Sequence, residues 1–165
     1  MIKEKEFLGL IEKHKGIIHK ISKMYMDNKD DQLDLFQDIL YNLWKSYDSF
    51  KNQSLFSTWM YRVALNTAIL YLKKDKSKLH DYHFPKNISH EPDQSEEKEL
   101  QLYHFYKAIQ QLDKIEKAII FYALENYSHK EIANNLGISE GNARVKLLRA
   151  KEKMKILIKK QGYEF

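Results

Sequence analysis

The spacing of the apolar residues is the feature that most constrains the fold of this 165-residue chain. Outside one segment these residues recur at intervals of three and four, the period of one face of an α-helix. No stretch alternates apolar and polar residues in the manner of a half-buried strand. The only prolines, Pro85 and Pro92, interrupt the pattern, because proline cannot continue a helix and restricts the residue before it. The sequence therefore predicts an all-α fold of two small helical domains joined by a flexible linker.

The predicted boundaries are a first domain over residues 1–74, an acidic, proline-containing linker over 75–99 and a second domain over 100–165. Three helices are predicted in the first domain. Their expected inward residues are Phe7, Ile11, His14, Ile18, Ile21 and Tyr25 in the first, Leu33, Phe36, Leu40, Leu43 and Tyr47 with Trp44 in the second, and Phe56, Met60, Val63, Thr67 and Leu70 in the third.

The second domain carries several signals for helix ends. Asp113 and Ser128 are each followed three residues later by glutamate, the spacing of a capping box. Gly137 can take the left-handed conformation that ends a helix, and Ser139 can cap the next one. The expected inward residues are Leu102, Phe105, Ile109 and Leu112 before these signals, Ile132, Leu136 and Ile138 around the turn, and Ala143, Leu147, Ala150, Met154 and Leu157 in the last helix.

These signals predict a short helix, a tight turn and a longer basic helix in the segment SHKEIANNLGISEGNARVKLLRAK. This is the helix-turn-helix arrangement, which places its second helix in the DNA major groove. Arginine can bind both acceptors of guanine, asparagine can read adenine, and the other cations can neutralise phosphates. The alternative is an ordinary helical hairpin with a solvated basic face. The DNA-binding candidates are Ser139, Asn142, Arg144, Lys146, Arg149 and Lys151.

A weaker nucleic-acid signal lies in the first domain. The polar segment DSFKNQS interrupts the helical pattern and contains Lys51, Asn52 and Gln53. In the helix that follows, Arg62 and Asn66 share one face with Lys73, and Trp59 and Tyr61 lie nearby. Cations beside aromatic rings suit single-stranded DNA, because any base can stack on an aromatic plane. Aromatic residues on helices more often belong to the core.

Composition and charge narrow the function further. The net charge is +5, with +3 in residues 1–74, −3 in 75–106 and +5 in 107–165, so two basic blocks flank an acidic one. The absence of cysteine excludes disulfides and thiolate zinc sites, and no glycine-rich phosphate loop occurs. No catalytic arrangement stands out, so neither an enzyme nor a cofactor is expected.

Two clusters of potential ligands are candidate metal sites. Asp31, Asp34 and Asp38 lie at helical spacing, but an acidic face that meets a basic protein partner is the stronger interpretation. The second cluster consists of His80, His83 and His90 with Asp81 and Asp93. No metal is expected there either, because a proline-containing segment does not fix ligand geometry.

The N-terminus lacks an apolar signal core, and no apolar run approaches the length of a membrane span. A cytoplasmic protein without membrane insertion is therefore expected.

Two parts of the sequence carry a family resemblance, namely DQLDLFQDILYNLWKSYDSFKNQSLFSTWMYRVALNTAILYLKK and the helix-turn-helix after it, which ends in SEGNARVKLLRAKEKM. Together they resemble the extracytoplasmic-function (ECF) group of bacterial RNA polymerase sigma factors. The resemblance covers residues 5–74 and 100–158. It implies a specificity subunit that directs core RNA polymerase to promoter DNA, opens the −10 element with its first domain and reads the −35 element with its second. An anti-sigma factor is implied as a further partner.

The resemblance also implies roles for individual residues. The polymerase-facing positions would be Asp34, Leu35, Gln37, Asp38 and Ile39. The 48–54 loop, with Lys51, Asn52 and Gln53, would capture a flipped base, and DNA melting would involve Trp59, Tyr61, Arg62 and Asn66. The −35 element would be read by Ser139, Asn142, Arg144, Lys146 and Arg149.

Two residues depart from the family pattern, namely Leu70, where an acidic residue is frequent, and Leu148, where many members have a polar residue. The first bears on local packing or promoter contacts and the second on −35 preference. Two other functions stay open from the residues themselves. One is a free-standing helix-turn-helix regulator, and the other is a metal-dependent nuclease that uses Asp34, Asp38 and the linker histidines.

Overall fold

The computed structural model describes residues 1–74 and 94–163. The chain divides into two compact units, Met1–Lys76 and Ser77–Phe165. Seven α-helices and one short 3₁₀ turn make up the secondary structure of the described residues, which contain no strand. The predicted all-α fold with two helical domains is confirmed.

The first unit is a bundle of three helices, α1 (Ile2–Tyr25), α2 (Lys29–Ser46) and α3 (Phe56–Lys74), with a 3₁₀ turn at Tyr47–Ser49. Each helix packs against the other two. The predicted stripe of α1 is confirmed, since all its members are buried except His14, which is half-buried with its ring 5.6 Å from that of Phe56. Asn28 begins α2 by accepting a hydrogen bond from the backbone N–H of Asp31 at 2.9 Å.

The buried face of α2 differs from the predicted one. Leu35, Ile39 and Leu43, which follow one another at intervals of four, are 0% exposed, whereas Leu33 is 56% exposed. Trp44 is 40% exposed, with its ring centroid 5.0 Å from that of Phe7. Because apolar residues occupy a wide arc of this helix, their spacing leaves the edges of the buried face undetermined, and contact with α1 and α3 fixes them.

In α3 the predicted residues Phe56, Met60 and Thr67 are buried, and Val63 is half-buried. Leu70 is exposed, contrary to prediction. The small residues Ala64 and Ala68 are buried as well, so the helix turns that side towards the core and leaves Leu70 at the opposite edge.

The second unit contains α4 (Gln94–Ile109), α5 (Lys114–Leu124), α6 (His129–Leu136) and α7 (Glu140–Lys160). The long α7 packs against each of the other three. Both predicted capping boxes are present, at Asp113 with Glu116 and at Ser128 with Glu131. In α7 the predicted inward residues are buried except Leu157, which is half-buried beside the buried Ile158.

The start of α4 differs from prediction. The helix begins at Gln94, so residues 94–99 are helical although their acidity indicated linker. Glu96 and Glu97 lie in its first turn, where the helix dipole stabilises negative charge. Leu102 was expected to be buried and is exposed, while Ile109 and Leu112 are buried as predicted. Residues 75–93 of the predicted linker lie outside the described residues.

Candidate nucleic-acid and protein interfaces

A tight turn joins α6 to α7. Gly137 has φ 67° and ψ 35°, the left-handed conformation predicted for it, and its N–H donates to the carbonyl of Ala133. Two residues later the Ser139 hydroxyl accepts a hydrogen bond from the N–H of Asn142 at 3.1 Å and caps α7. The buried Ala133 and Ala143 are small enough for helices to pack closely. One helix therefore ends and the next begins within three residues, as the helix-turn-helix prediction requires.

The predicted DNA-binding residues of α7 lie largely on its outer side. Asn142, Arg144, Arg149 and Lys151 are exposed and Lys146 is half-buried. The Arg144 guanidinium lies 3.4 Å from the Glu140 carboxylate. Exposed pairs of this kind contribute about 0.3–0.5 kcal/mol, so exchanging the glutamate for a phosphate or a base costs little.

Lys153, further along the same helix, is paired with Glu116 at 3.1 Å. The same Glu116 oxygen accepts the N–H of Asp113 at 2.9 Å. One carboxylate therefore links α7 to the capping box that begins α5.

In the first unit, Lys51, Asn52 and Gln53 form an exposed loop between the 3₁₀ turn and α3. Asn52 has φ 54°, a left-handed conformation that asparagine tolerates better than most residues. Arg62 and Asn66 are exposed on one face of α3. All five side chains are placed where solvent, or DNA, can reach them.

Trp59 lies under this loop. Its ring centroid is 5.3 Å from that of Phe50, 5.4 Å from Phe56 and 6.3 Å from Tyr47, and the side chain is half-buried. Tyr61 is half-buried too. Aromatic pairs at these distances contribute about 0.5–1.5 kcal/mol beyond the area they bury. The primary contribution of Trp59 in this structure is thus to hold the loop against the bundle.

The structure also reveals a cleft that the sequence patterns missed. It has a volume of about 630 Å³ and lies between α1 and the loop, with Lys5, Gly9 and Lys13 on the α1 side and Phe50 and Asn52 on the other. Residues 5, 9 and 13 follow one another at helical spacing, which was the available signal. Their proximity to the loop depends on tertiary packing, which spacing within one helix cannot reveal.

The outer face of α2 combines carboxylates with uncovered apolar side chains. We use "α2 outer face" for its exposed residues Leu33, Asp34, Gln37, Asp38, Tyr41 and Trp44. Beside it, Phe7 and Leu8 of α1 complete a groove of about 500 Å³ with Gln37, Tyr41 and Trp44. Of the five residues predicted to face the polymerase, Asp34, Gln37 and Asp38 are exposed, whereas Leu35 and Ile39 are fully buried. Their side chains instead fix the orientation of the outer face.

The described residues contain no group of three or more His, Cys, Asp or Glu side chains that could hold a metal ion. Asp31 is engaged at the start of α2, where its carboxylate accepts a hydrogen bond from the Asn28 side chain at 2.6 Å. The candidate cluster of His80, His83, His90, Asp81 and Asp93 lies outside the described residues. Within residues 1–74 and 94–163, none of the helices has both the length and the apolar content needed to cross a bilayer.

Two family models match the chain, one in each unit. Sigma-70 region 2 matches residues 10–78, and Sigma-70 region 4 matches residues 104–154. The first therefore contains α2, the loop and α3, and the second contains the helix-turn-helix.

Relatives of similar length support the same assignment. The RNA polymerase sigma factor SigV of Bacillus subtilis is 26% identical over 153 residues, which cover 92% of this chain and 90% of the relative. The ECF RNA polymerase sigma-E factor of Escherichia coli K12 is 27% identical over 163 residues, covering 90% and 84% respectively.

Two solved structures share the fold. The sigma factor RpoE of Bartonella quintana, crystallised with the anti-sigma factor NepR, has a TM-score of 0.71 at 23% identity and covers 94% of this chain and 98% of its own. CnrH, solved with the cytosolic domain of CnrY, has a TM-score of 0.65 at 20% identity and covers 94% and 89%. With a region 2 unit, a region 4 unit and relatives that span most of its length, this chain belongs to the ECF group of RNA polymerase sigma factors.

Proposed function

We propose that this protein binds core RNA polymerase through its first unit and directs it to promoters, reading the −35 element with α7 and opening the −10 element with the loop and α3. The observation that carries the proposal is the presence in one chain of a basic helix-turn-helix and a separate helical unit whose α2 outer face is uncovered. A free-standing regulator is not favoured, because it would need only the helix-turn-helix of the second unit, whereas a sigma factor also gives the first unit a function.

The α2 outer face suits a protein partner. Its apolar members can be buried on association, at about 25 cal/mol per Å² of apolar surface, while Asp34 and Asp38 can pair with basic groups. We assign this face to core polymerase. The assignment retains Asp34, Gln37 and Asp38 of the predicted set and replaces Leu35 and Ile39 by the neighbouring Leu33, Tyr41 and Trp44.

The cleft beside the loop suits an unpaired base. The lining carries two cations, Lys5 and Lys13, against one carboxylate, Glu6, so it is net positive and suits the DNA backbone. The aromatic residues Phe50 and Phe56 form part of the lining as well. Asn52 and its neighbours Lys51 and Gln53 would contact the flipped base, as the resemblance implies. Stacking and backbone contacts would offset the cost of unpairing the duplex. Arg62 and Asn66 on α3 would hold the adjacent strand, and Trp59 and Tyr61 would support them from the half-buried side.

The protein would act as a dissociable specificity subunit and not as an enzyme, and it would work in the cytoplasm with the polymerase. An anti-sigma factor is the expected regulator, by analogy with the Bartonella quintana complex. Such a protein would hold the factor inactive by covering its polymerase-binding surfaces.

The decisive experiment combines the purified full chain with bacterial core RNA polymerase and fragmented genomic DNA. Discrete transcripts that depend on the added chain are expected. Asp38→Arg should abolish co-elution with core polymerase because it reverses a charge on the α2 outer face. Asp27→Arg is the matched control, since Asp27 is an exposed aspartate in the turn before α2, and it should co-elute normally.

Normal co-elution of the Asp38→Arg variant would remove the polymerase assignment of this face. If the unaltered chain forms no complex with core polymerase but protects DNA by itself, the proposal fails and the free-standing regulator takes its place.

A further inference from the structure

The outward side of α7 carries large apolar residues that stay exposed in the part of the chain that the structure describes. Leu148 is 63% exposed and Val145 is 44% exposed, and both point away from the buried row of Ala143, Leu147 and Ala150. Ile156, two turns beyond Leu148, is exposed as well. An exposed apolar residue is ordinary when it is isolated, but residues that share one side of a helix indicate a surface that becomes covered.

Cations flank these residues on both sides. At about 100° per residue, Val145 and Leu148 lie near the middle of the exposed arc. Arg144, Lys151 and Lys155 follow one edge of this arc, and Arg149 and Lys153 follow the other. A helix with its side chains is about 10–12 Å across, and the DNA major groove is about 12 Å wide between two phosphate backbones. Two rows of cations with an apolar middle therefore match the two phosphate walls and the base edges between them.

Gly141 lies near the same middle line, at the N-terminal end of α7. Apart from its own helix backbone, no atom of the described residues lies within 4 Å of a Cβ added there, so packing against these residues does not require glycine. Glycine in a helix costs about 0.5–1 kcal/mol relative to alanine. Without a side chain, however, the backbone can approach a ligand closely, and the residues of a recognition helix that meet bases are the N-terminal ones.

Glu152 marks where this surface ends. It lies on the same side of the helix, one turn after Leu148, and is paired with Lys155 at 3.3 Å. A carboxylate facing the groove floor would be repelled by the phosphates on either side. The base-facing part of α7 thus comprises residues 141–149, and Ile156 lies beyond it.

We propose that Val145 and Leu148 read thymine in the −35 element by covering the C5-methyl groups of the bases. The inference rests on the proposed function, because it requires α7 to enter promoter DNA. The thymine methyl is the apolar group that a base edge offers in the major groove, and apolar side chains recognise it by contact. The arginines on the flanks then bind phosphates or bases at the edges of the contact. A protein partner is less suited to this surface, because it would have to match two rows of positive charge as well as the apolar middle.

The test uses holoenzyme assembled from the full chain and core polymerase on a promoter that the chain itself selects. Each thymine of the protected −35 region is replaced in turn by deoxyuridine, which removes only the methyl group. One or two replacements should weaken binding about threefold to fivefold each, the value of burying one carbon. Leu148→Ala should weaken binding to thymine DNA and lose discrimination between thymine and deoxyuridine at one position, and Val145→Ala should do so at a neighbouring position.

Ile156→Ala is the matched control, since it shortens an exposed apolar side chain of the same helix beyond Glu152, and it should discriminate as the unaltered protein does. If Leu148→Ala discriminates normally, or if no deoxyuridine replacement weakens a holoenzyme that binds its promoter, the inference is overturned and the proposed function stands. If Leu148→Ala weakens assembly with core polymerase without DNA, the surface is a protein-docking site and the inference is also overturned. Failure of the holoenzyme to bind any promoter would refute the proposed function itself.

Discussion

Leu33 and Leu35 allow the two sides of α2 to be tested with the same substitution. They are two residues apart in one helix, but Leu33 is 56% exposed and Leu35 is 0% exposed. We expect Leu35→Ala to destabilise the first unit and Leu33→Ala to leave its stability nearly unchanged. In contrast, Leu33→Ala should weaken the complex with core polymerase under conditions where the unit is folded.

The magnitude follows from burial. Replacing a fully buried leucine by alanine costs about 2–5 kcal/mol, since it removes transfer free energy and leaves a cavity. A unit of this size has a total stability of about 4–11 kcal/mol at 0.05–0.15 kcal/mol per residue. A loss of about 3 kcal/mol would lower its melting temperature by about 12–24 °C. For the exposed Leu33 the expected change is within about 0.5 kcal/mol.

Trp44 and Trp59 are the two tryptophans of the chain, and both belong to the first unit. Tryptophan fluorescence can therefore follow the unfolding of the first unit alone within the full chain. Thermal unfolding would be recorded by tryptophan fluorescence, and polymerase binding would be measured at a temperature where both variants are folded. If Leu35→Ala leaves the melting temperature unchanged and abolishes polymerase binding, the assignment of the buried and outer faces is refuted. Equal destabilisation by the two variants would refute it as well.

Five further variants test single residues. Ser22→Ala should raise the free energy of unfolding by about 1 kcal/mol, because the buried Ser22 hydroxyl has no hydrogen-bond partner among the described residues. Urea unfolding followed by fluorescence would detect the change. Gly137→Ala should lower the stability of the second unit by about 1–2 kcal/mol, since alanine is strained at φ 67°. Gly141→Ala is the control and should not lower the stability, because alanine favours a helix more than glycine does. Thermal unfolding followed by circular dichroism would compare the two variants. Ser139→Ala should lower the free energy of unfolding by about 1 kcal/mol, because it removes the cap of α7. Ser139→Asp should keep the helix capped but weaken promoter binding in a filter assay, because it adds a negative charge near the phosphates.

Local chemistry made much of the second unit predictable. The capping boxes at Asp113 and Ser128 and the left-handed Gly137 each depend on residues within one turn of a helix, so their sequence signals and their geometry coincide. The buried row of α7 was predictable for a related reason, since its members recur at intervals of three and four, whereas most residues on the outward side are charged.

The face of α2 and the cleft beside the loop depend on tertiary contacts, which sequence spacing does not contain. Leu33 and Leu35 are equally apolar, and only the positions of α1 and α3 decide which of them is buried. Similarly, the packing of α1 places Lys5 and Lys13 in the lining of the same cleft as Asn52, although each residue separately looks like an ordinary surface position. The acidic residues of 94–99 could be assigned to a linker or to a helix start, because both favour negative charge.

Under the proposed function, the buried side of α7 holds the helix in the fold and its outward side reads DNA, and this separation has a consequence for how promoter preference can change. The buried residues Ala143, Leu147, Ala150 and Met154 hold the helix in place, and the turn at Gly137 fixes its direction. The outward residues contribute little to that framework. Mutations there can therefore accumulate without a loss of folding, so a duplicated copy of such a gene can acquire a new set of promoters through a few substitutions. In the laboratory, transplanting only the outward residues of 141–149 from another member should create a factor that does not compete with the original for its promoters.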